Sequence, residues 1–210
     1  MDAEFWHEKW EMNQLGFHQE AHNPLMVAHG GHLGLKPGER VFLPLCGKTL
    51  DIGWFLSNGQ HVLGAELSEL AIEQLFENLR LEPDRTPVGD LVRYSAENMD
   101  IFAGDIFSLS AEMLGPVQAI YDRAALIALP AQMRQRYAEH LVVLTSRAPQ
   151  LLVAVEYDQS EMAGPPLSVV GEEIEQLYAP HYKVTKLASA DIPGGLKGIC
   201  KADQTAWLLQ

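Results

Sequence analysis

The chain has 210 residues, 47% hydrophobic and 20% charged, which is the composition of an ordinary globular protein. Its formal net charge of −13, with no Lys/Arg cluster, argues against a nucleic-acid partner because a phosphate backbone would be repelled. No run approaches the ~20 apolar residues that span a bilayer, and the acidic, aromatic N-terminus does not have the basic start of a signal peptide. Two cysteines, Cys46 and Cys200, are too few for a disulfide framework and fit a reducing compartment. We therefore expect a cytoplasmic monomer without membrane association.

The N-terminal segment predicts two helices. Phe5, Trp6 and Trp10 recur near helical spacing and predict an amphipathic helix over 3–14. Asn23-Pro24 predicts the start of a second helix, with Asn as cap and Pro at the first position, running to about Gly34. We interpret residues 1–35 as a helical lid on a single domain that spans 1–210.

From Lys36 onward, predicted strands and helices alternate. The predicted strands are 40–44, 61–66, 101–103, 117–122 and 151–156, and the predicted helices are 49–58, 68–81, 131–146 and 171–178. Residues 82–98 are polar, contain two prolines and are interpreted as a loop. Residues 182–190 and 205–209, joined by the Pro/Gly-rich loop 191–198, predict an antiparallel edge hairpin. This order predicts an α/β fold: a mostly parallel, doubly wound, Rossmann-like sheet with an antiparallel edge hairpin and an N-terminal helical cover.

Ligands of such sheets bind beyond the C-terminal ends of the strands, so the loops after residues 44, 66, 103, 122 and 156 are the places where a site is expected. Glu66 ends the second predicted strand 19 residues after Gly47 (66 − 47). Nucleotide-binding βαβ units place an acidic residue at about this distance, where its carboxylate accepts hydrogen bonds from the ribose hydroxyls. The alternative interpretation is an ordinary polar residue at a strand end.

The loop before Glu66 indicates which cofactor is bound. Between Pro44 and Asp51 there is one glycine, whereas a dinucleotide loop of the form G-x-G-x-x-G needs three. Gly47-Lys48-Thr49 also lacks the earlier glycine of a Walker phosphate loop. A cofactor with a ribose but no phosphates satisfies both observations, and S-adenosylmethionine is such a cofactor.

Longer motifs carry a resemblance to a known family. They are Arg40-Val-Phe-Leu-Pro-Leu-Cys-Gly-Lys-Thr-Leu-Asp51, Trp54-Phe55 and Val62-Leu-Gly-Ala-Glu-Leu-Ser-Glu-Leu-Ala-Ile72, followed in the same order by Asp105-Ile-Phe107, Tyr121-Asp-Arg-Ala-Ala-Leu126, Tyr157-Asp158 and Gly164-Pro-Pro166. Together with Trp10 and Gly16-Phe-His-Gln-Glu20, this pattern resembles the thiopurine S-methyltransferase family, in its bacterial form, over nearly the whole chain. The resemblance implies a Rossmann-like S-adenosylmethionine-dependent methyltransferase that methylates small aromatic or heterocyclic thiols such as thiopurines.

The resemblance also implies residue roles. Leu45 would contact the cofactor through its backbone, Glu66 would hold the ribose hydroxyls, and Asp105 and Ile106 would border the adenine. Trp10 would close over the methionine portion, where its ring gains cation–π attraction to a sulfonium. Arg123 would stand between cofactor and substrate, where a fixed cation stabilises a thiolate, and Phe17 would line the substrate pocket. Asp122, the neighbour of Arg123, could assist the transfer through a water molecule.

Several alternatives stay open at this stage. Trp10 could simply anchor its helix in the core, and Arg123 could form a structural salt bridge with Asp122 or Asp105. Animal relatives carry a second arginine where this chain has Pro193, and Lys197 or Lys201 could replace it. The acceptor could be a selenium or tellurium compound or another small nucleophile, or the protein could bind a nucleoside without turnover. His18, His22, His29 and His32 have no further ligand motif at metal-site spacing, so no metal site is expected.

Overall fold

The structure, a computed structural model, describes residues 3–14, 19 and 21–210. In chain order its strands are β1 Arg40–Pro44, β2 His61–Glu66, β3 Asp84–Val88, β4 Leu91–Ala96, β5 Met99–Ala103, β6 Ala119–Arg123, β7 Gln150–Tyr157, β8 Val184–Asp191 and β9 Ala202–Leu209. The helices are α1 Ala3–Glu11, α2 Pro24–His29, α3 Asp51–Ser57, α4 Glu69–Leu79, α5 Ala111–Leu114, α6 Ala131–Leu144 and α7 Gly171–Tyr178. Short 3-10 turns cover Gly30–Leu33, Ile106–Ser108 and Leu126–Ala128.

The strands form one sheet in the order β3-β4-β5-β2-β1-β6-β7-β9-β8. Its centre is parallel: β1 pairs with β2 and β6, β2 pairs with β5, and β6 pairs with β7. Parallel strands of this kind need helices on both faces, because each crossover returns the chain over the sheet. The predicted Rossmann-like, doubly wound α/β sheet is confirmed.

Side chains of the parallel strands alternate between two apolar layers. In β1, Phe42 packs in the layer that contains buried residues of α6 and α7. Val41 and Leu43 point the other way, into the layer that contains buried residues of α2, α3 and α4. The period-2 alternation of a strand places successive residues on opposite faces, so both faces of the sheet are covered.

The C-terminal hairpin is present and is joined to the parallel sheet by its second strand. β9 pairs antiparallel with β7 on one side and with β8 on the other. The sequence predicts an antiparallel hairpin here, and the structure confirms it with strand bounds that differ by a few residues.

The prediction of a loop over 82–98 is wrong. These residues contain β3 and β4, which pair antiparallel with each other, while β4 also pairs antiparallel with β5. Pro87 is tolerated because β3 is the edge strand, where one face of the backbone needs no ladder donor. Val88 pairs with Leu91 across the two-residue turn Gly89-Asp90, with Gly89 at a φ of 60°. Such a turn, flanked by apolar residues, is the local signal that indicates a hairpin.

The N-terminal elements follow their predicted starts. The Asn23 side chain accepts hydrogen bonds from the backbone N–H groups of Leu25 at 3.0 Å and Met26 at 3.2 Å, which caps α2 as its sequence predicts. The following 3-10 turn ends at Gly34, whose φ is 65°. In the parts of the chain that the structure describes, no helix is both long and apolar enough to cross a membrane.

Asp122 lies within the apolar layer beneath α6. It is fully buried, and its Oδ2 accepts hydrogen bonds from the Tyr137 hydroxyl at 2.7 Å and from the Gln150 amide at 3.4 Å. Burial penalises the charged carboxylate and raises the pKa of Asp122 to about 7, although the hydrogen bond from Tyr137 opposes the shift. Between about pH 4 and pH 7, Asp122 therefore keeps its proton in the native protein, whereas an unfolded chain, with an Asp pKa of about 3.9, would release it.

This proton predicts how stability depends on pH. Because the native state binds the Asp122 proton more tightly, this group's stabilising contribution is complete below about pH 4 and is lost as the pH rises to about 7. The loss should be about 1 kcal/mol per pH unit. Asp122→Asn should remove this slope, as measured by urea unfolding at several pH values between 4.5 and 8. Asp84→Asn on the exposed strand β3 is the control and should keep the wild-type slope, and parallel curves for wild type and Asp122→Asn would contradict the prediction.

Candidate active site

A cavity of about 700 Å³ opens at the C-terminal ends of the central parallel strands. The loops after β1, β2, β5 and β6 supply most of its floor, as expected where the carboxyl ends of parallel strands meet. The floor residues are Leu45, Cys46, Gly47, Lys48, Thr49, Glu66, Leu67, Asp105, Ile106, Phe107, Arg123 and Ala124. Further walls come from α1, from the segment 127–136 and from the loop 164–166.

Most of the predicted site residues meet on this cavity. Those on its lining are Trp10, Leu45, Glu66, Asp105, Ile106 and Arg123. Asp122 is not on the lining, because strand alternation turns it to the α6 face of the sheet while Arg123 points to the other face. Phe17 and His18 lie outside the described residues.

The loop after β1 makes a tight, strained turn at the cavity. Leu45 has a φ of 46° and Gly47 a φ of 53°, both in the left-handed region that is costly for residues with a Cβ. The backbone N–H of Cys46 donates to the Ala65 carbonyl at 3.0 Å, which ties the turn to β2. A Cβ at Gly47 would lie 3.2 Å from the Trp10 ring, so the absence of a side chain lets α1 approach the loop closely.

Glu66 is the buried acid of the cavity, with 6% of its surface exposed. Its Oε2 accepts a hydrogen bond from Gly47 N–H at 2.7 Å, and its Oε1 accepts one from Ser68 N–H at 2.9 Å. Burial raises the pKa of Glu66, while hydrogen bonds from the backbone of Ser68, Gly47 and Leu67 act in the opposite direction. A carboxylate accepts about four hydrogen bonds, so capacity remains for a donor from a ligand in the cavity.

The loop after β5 borders the cavity with Asp105, Ile106 and Phe107. Asp105 caps the 3-10 turn by accepting from Phe107 N–H at 3.0 Å, and its side chain remains exposed. Ile106 is buried, and its carbonyl lies 2.8 Å from Nε2 of His140. The Asp105-Ile106 pair thus presents a polar group next to an aliphatic surface.

Arg123 ends β6 on the face of the sheet that also carries α3. Its Nη1 donates to Thr49 Oγ1 at 3.1 Å and lies 3.4 Å from Asp51 Oδ2. The salt bridge with Asp122 or Asp105 that the sequence left open is therefore not the one observed. Ala124, the next residue, has a φ of 67°, and after this strained turn the chain continues along the cavity at Ile127, Ala128 and Leu129.

Helix α1 and its following turn cover one side of the cavity with Phe5, Trp6, Lys9, Trp10 and Gln14. Trp10 is 4% exposed, and the Lys48 ammonium lies 5.8 Å from the centre of its ring. The Lys48 ammonium also donates to Gln74 on α4 at 2.7 Å. Trp10 thus packs α1 against the loop after β1 and also lines the cavity.

The lining also contains residues of α6 for which the sequence predicts no role. On α6, the guanidinium of Arg136 stacks on the Phe107 ring at 3.8 Å from its centre, and Met133 lies one turn earlier on the same face. Which turn of a helix faces a cavity depends on tertiary packing, so no local signal could identify Arg136. Lys197 lines the cavity and donates to the Pro165 carbonyl at 2.7 Å, whereas Lys201 is not on the lining. Of the two lysines considered as replacements for a second arginine, Lys197 is therefore the one that reaches the cavity.

The described histidines that the sequence analysis considered do not come together as a metal centre. His29 and His32 stack with ring centres 5.8 Å apart, and within the described part of the chain no group of three or more His, Cys, Asp or Glu side chains has metal-binding geometry.

The contact between Gly47 and Trp10 predicts the effect of a single methyl group. Gly47→Ala should lose about 1–2 kcal/mol of unfolding free energy from the left-handed backbone, plus a further loss because the methyl group displaces Trp10. Gly34→Ala is a matched control, since Gly34 also has a positive φ but no atom lies within 4 Å of the position that its methyl group would take. Urea unfolding followed by tryptophan emission measures both effects. Equal losses for the two variants, with unchanged emission, would show that Trp10 does not pack on this glycine.

Solved structures with similar coordinates share the fold. A 1,6-didemethyltoxoflavin-N1-methyltransferase from Burkholderia thailandensis, with bound 1,6-didemethyltoxoflavin and S-adenosylhomocysteine, matches with a TM-score of 0.67 and 16% identity, covering 99% of this chain and 87% of that one. An S-adenosylmethionine-dependent methyltransferase from Anabaena variabilis matches with a TM-score of 0.64 and 13% identity, covering 99% and 95%. At these identities the comparison supports the fold alone.

Sequence comparison is more specific. A thiopurine S-methyltransferase from Xanthobacter autotrophicus is 53% identical over 100% of this chain and 99% of its own length. One from Teredinibacter turnerae is 47% identical over 100% and 97%. The family model described as Thiopurine S-methyltransferase (TPMT) matches residues 1–201. The chain therefore belongs to the thiopurine S-methyltransferase family.

Proposed function

We propose that this protein transfers a methyl group from S-adenosylmethionine to the sulfur of a small aromatic or heterocyclic thiol, such as a thiopurine. The observation that carries the proposal is that the buried acid Glu66 and the cation Arg123 line the same cavity. A buried acceptor suits the hydroxyls of a nucleoside cofactor, and a cation suits a thiolate acceptor. Membership of the thiopurine S-methyltransferase family supports the same reaction.

The cofactor half of the cavity fits a ribose and an adenine. Glu66 holds the ribose hydroxyls through the remaining acceptor capacity of its carboxylate, and the turn of Leu45 and Gly47 allows close approach of the backbone. Asp105 and Ile106 border the adenine with a polar group and an aliphatic face. Trp10 lies beside the methionine portion, where an aromatic face attracts a cation. When bound, S-adenosylmethionine supplies an electrophilic methyl group on a positively charged sulfur.

The charge of the cavity lining as a whole favours an anionic acceptor. Among the described residues, the lining carries five basic side chains (Lys9, Lys48, Arg123, Arg136 and Lys197) but two acidic ones (Glu66 and Asp105), although the whole chain has a net charge of −13. Arg123 stabilises the thiolate form and so lowers the pKa of a bound thiol. Apolar residues such as Ile127, Leu129 and Met133 provide contact area for an aromatic ring.

The residues around the cavity position the reactants and exclude water. Methyl transfer to sulfur is an in-line displacement that needs the reacting atoms about 3–3.5 Å apart. Phe5, Trp6 and Trp10 cover the cavity, which keeps competing water away from the reacting centre. Because an aromatic thiol ionises readily, the proposed transfer needs no strong general base. Asp122 has no role in this transfer, because it is buried on the other face of the sheet.

We propose further that the protein works as a cytoplasmic monomer on small molecules and contributes to detoxification. Both cysteines are free and buried, as expected in a reducing compartment. The acidic net charge disfavours a nucleic-acid partner.

The cofactor assignment predicts a selective loss of affinity. Glu66→Gln replaces an acceptor by an amide donor, so affinity for S-adenosylhomocysteine should fall by about 10- to 100-fold, because a buried hydrogen bond to a charged group is lost. Isothermal titration calorimetry measures the change. Glu69→Gln is the control: Glu69 accepts from the Tyr94 hydroxyl at 2.7 Å and is absent from the lining. Unchanged affinity in Glu66→Gln would place the nucleoside elsewhere.

The acceptor assignment predicts the opposite pattern for Arg123. Arg123→Ala should lower kcat for thiol methylation by about 100-fold, as expected when one charge-stabilising group is removed from a reacting centre. The affinity for S-adenosylhomocysteine should stay within about 2-fold. Arg85→Ala, which removes an exposed guanidinium paired with Glu73, should change neither quantity. Equal losses of kcat and cofactor affinity in Arg123→Ala would instead place Arg123 in the cofactor half.

A further inference from the structure

Asp51 is a buried carboxylate beside the cavity that the proposed function does not use. It is the first residue of α3 and is 1% exposed. Two segments that are distant in sequence, the start of α2 and the strand β6, donate to it. The Asn23 backbone N–H donates to Oδ1 at 2.8 Å, while the Tyr121 hydroxyl at 2.9 Å and Arg123 Nη1 at 3.4 Å donate to Oδ2.

These contacts provide the partner that a buried charge requires. A carboxylate removed from water is strongly destabilising unless it is paired and hydrogen-bonded. Arg123 is the cation that reaches Asp51 in the described structure, and the guanidinium is itself only 11% exposed. Each ion therefore depends on the other for its place beside the cavity.

The geometry restricts Arg123 at one nitrogen. Both Asp51 Oδ2 and Thr49 Oγ1 accept from Nη1, and Thr49 Oγ1 also accepts from the Asp51 backbone N–H at 3.3 Å. Nε and Nη2 of Arg123 donate to no described residue, and Arg123 lines the cavity, so these donors remain available to a ligand. An unrestrained arginine samples many rotamers. Pairing at Nη1 fixes the direction of the guanidinium and leaves the N–H groups of Nε and Nη2 unused.

Asp51 also connects this arginine to the N-terminal segment. Asn23, whose N–H reaches Asp51, caps α2, and its amide donates to Gln204 on β9 at 3.0 Å. Asn23 therefore ties the start of α2 to β9. One carboxylate contacts both the start of α2 and the cation on the floor of the cavity.

We infer that Asp51, acting with Thr49, is a positioning residue for methyl transfer: it holds the Arg123 guanidinium in the direction that meets the acceptor sulfur. This inference rests on the proposed function, since Arg123 must act on the acceptor for its direction to matter. Asp51 itself touches neither reactant. Its effect on the reaction passes through Arg123.

A double-mutant cycle tests the inference with the full chain and thiophenol as acceptor. Asp51→Asn should lower kcat by about 10-fold, since small displacements of a reacting-centre group reduce rates strongly. The affinity for S-adenosylhomocysteine should remain within about 2-fold of wild type. In the Arg123→Ala background, Asp51→Asn should cost no more than about 2-fold further, because a residue that acts only through Arg123 has nothing left to position. An additive loss, or a parallel loss of kcat and cofactor affinity, would overturn the inference and assign Asp51 a purely structural role.

Two variants keep the test decisive. Asp100→Asn is the control, because Asp100 also accepts a hydroxyl hydrogen bond, from Ser95 at 2.6 Å, and is absent from the lining; it should retain wild-type kcat. If Asp51→Asn does not fold, Thr49→Val removes the other acceptor of Nη1. It should lower kcat by about 3-fold in the wild-type background and have no effect in Arg123→Ala; a loss of equal size in both would overturn the inference. Failure of the proposed function is distinguishable, because the wild-type protein would then not methylate thiophenol at all.

Discussion

The active site depends first on one carboxylate that joins two loops. Glu66 ends β2 and accepts the backbone N–H of Gly47 from the loop after β1 and that of Ser68 from the start of α4. These donors would be unsatisfied at a buried turn and a helix N-terminus, so the acid both completes the backbone hydrogen bonding and shapes the floor of the cavity. The positive φ at Gly47 and the close approach of Trp10 follow from the same turn. In the proposed function, cofactor recognition therefore uses a group that folding already requires.

The second half of the site follows from strand alternation in β6. Tyr121 and Arg123 point to the face that carries α3, where Asp51 receives both, whereas Asp122 points to α6 and meets Tyr137. Three consecutive residues thus enter two different environments. One environment is a cavity wall with a paired cation, and the other is an apolar interior in which the pKa of the acid is raised to about 7. Adjacency in sequence is a poor guide to a shared role when the backbone is extended.

The sequence predicts those parts of the fold and site that depend on local patterns. The spacing of Gly47 and Glu66 predicts that the two residues meet at one site, because a βαβ unit has a nearly constant length. Both residues line the cavity. The loop prediction for β3 and β4 is wrong because Pro87 argues against a strand, although proline is tolerated in an edge strand. The turn Gly89-Asp90 is the local signal that indicates the hairpin. Asp51 could not be assigned because its partners lie 28 and 70 positions away in the chain. Arg136 was missed for the same reason, since its place on the cavity is decided by how α6 packs.

The contrast between an acidic molecule and a basic cavity has a kinetic consequence. The long-range field of a chain with a net charge of −13 repels an approaching thiolate and attracts S-adenosylmethionine, whose carboxylate, ammonium and sulfonium sum to one positive charge. Basic side chains on the lining act on an anion only at short range, because salt screens charges beyond about 8 Å at physiological ionic strength. Once the cofactor is bound, its positively charged sulfur adds to the charge of the basic side chains on the lining. In the proposed function, an anionic acceptor is therefore stabilised only once it lies inside the cavity, next to the basic lining and the sulfonium of the cofactor.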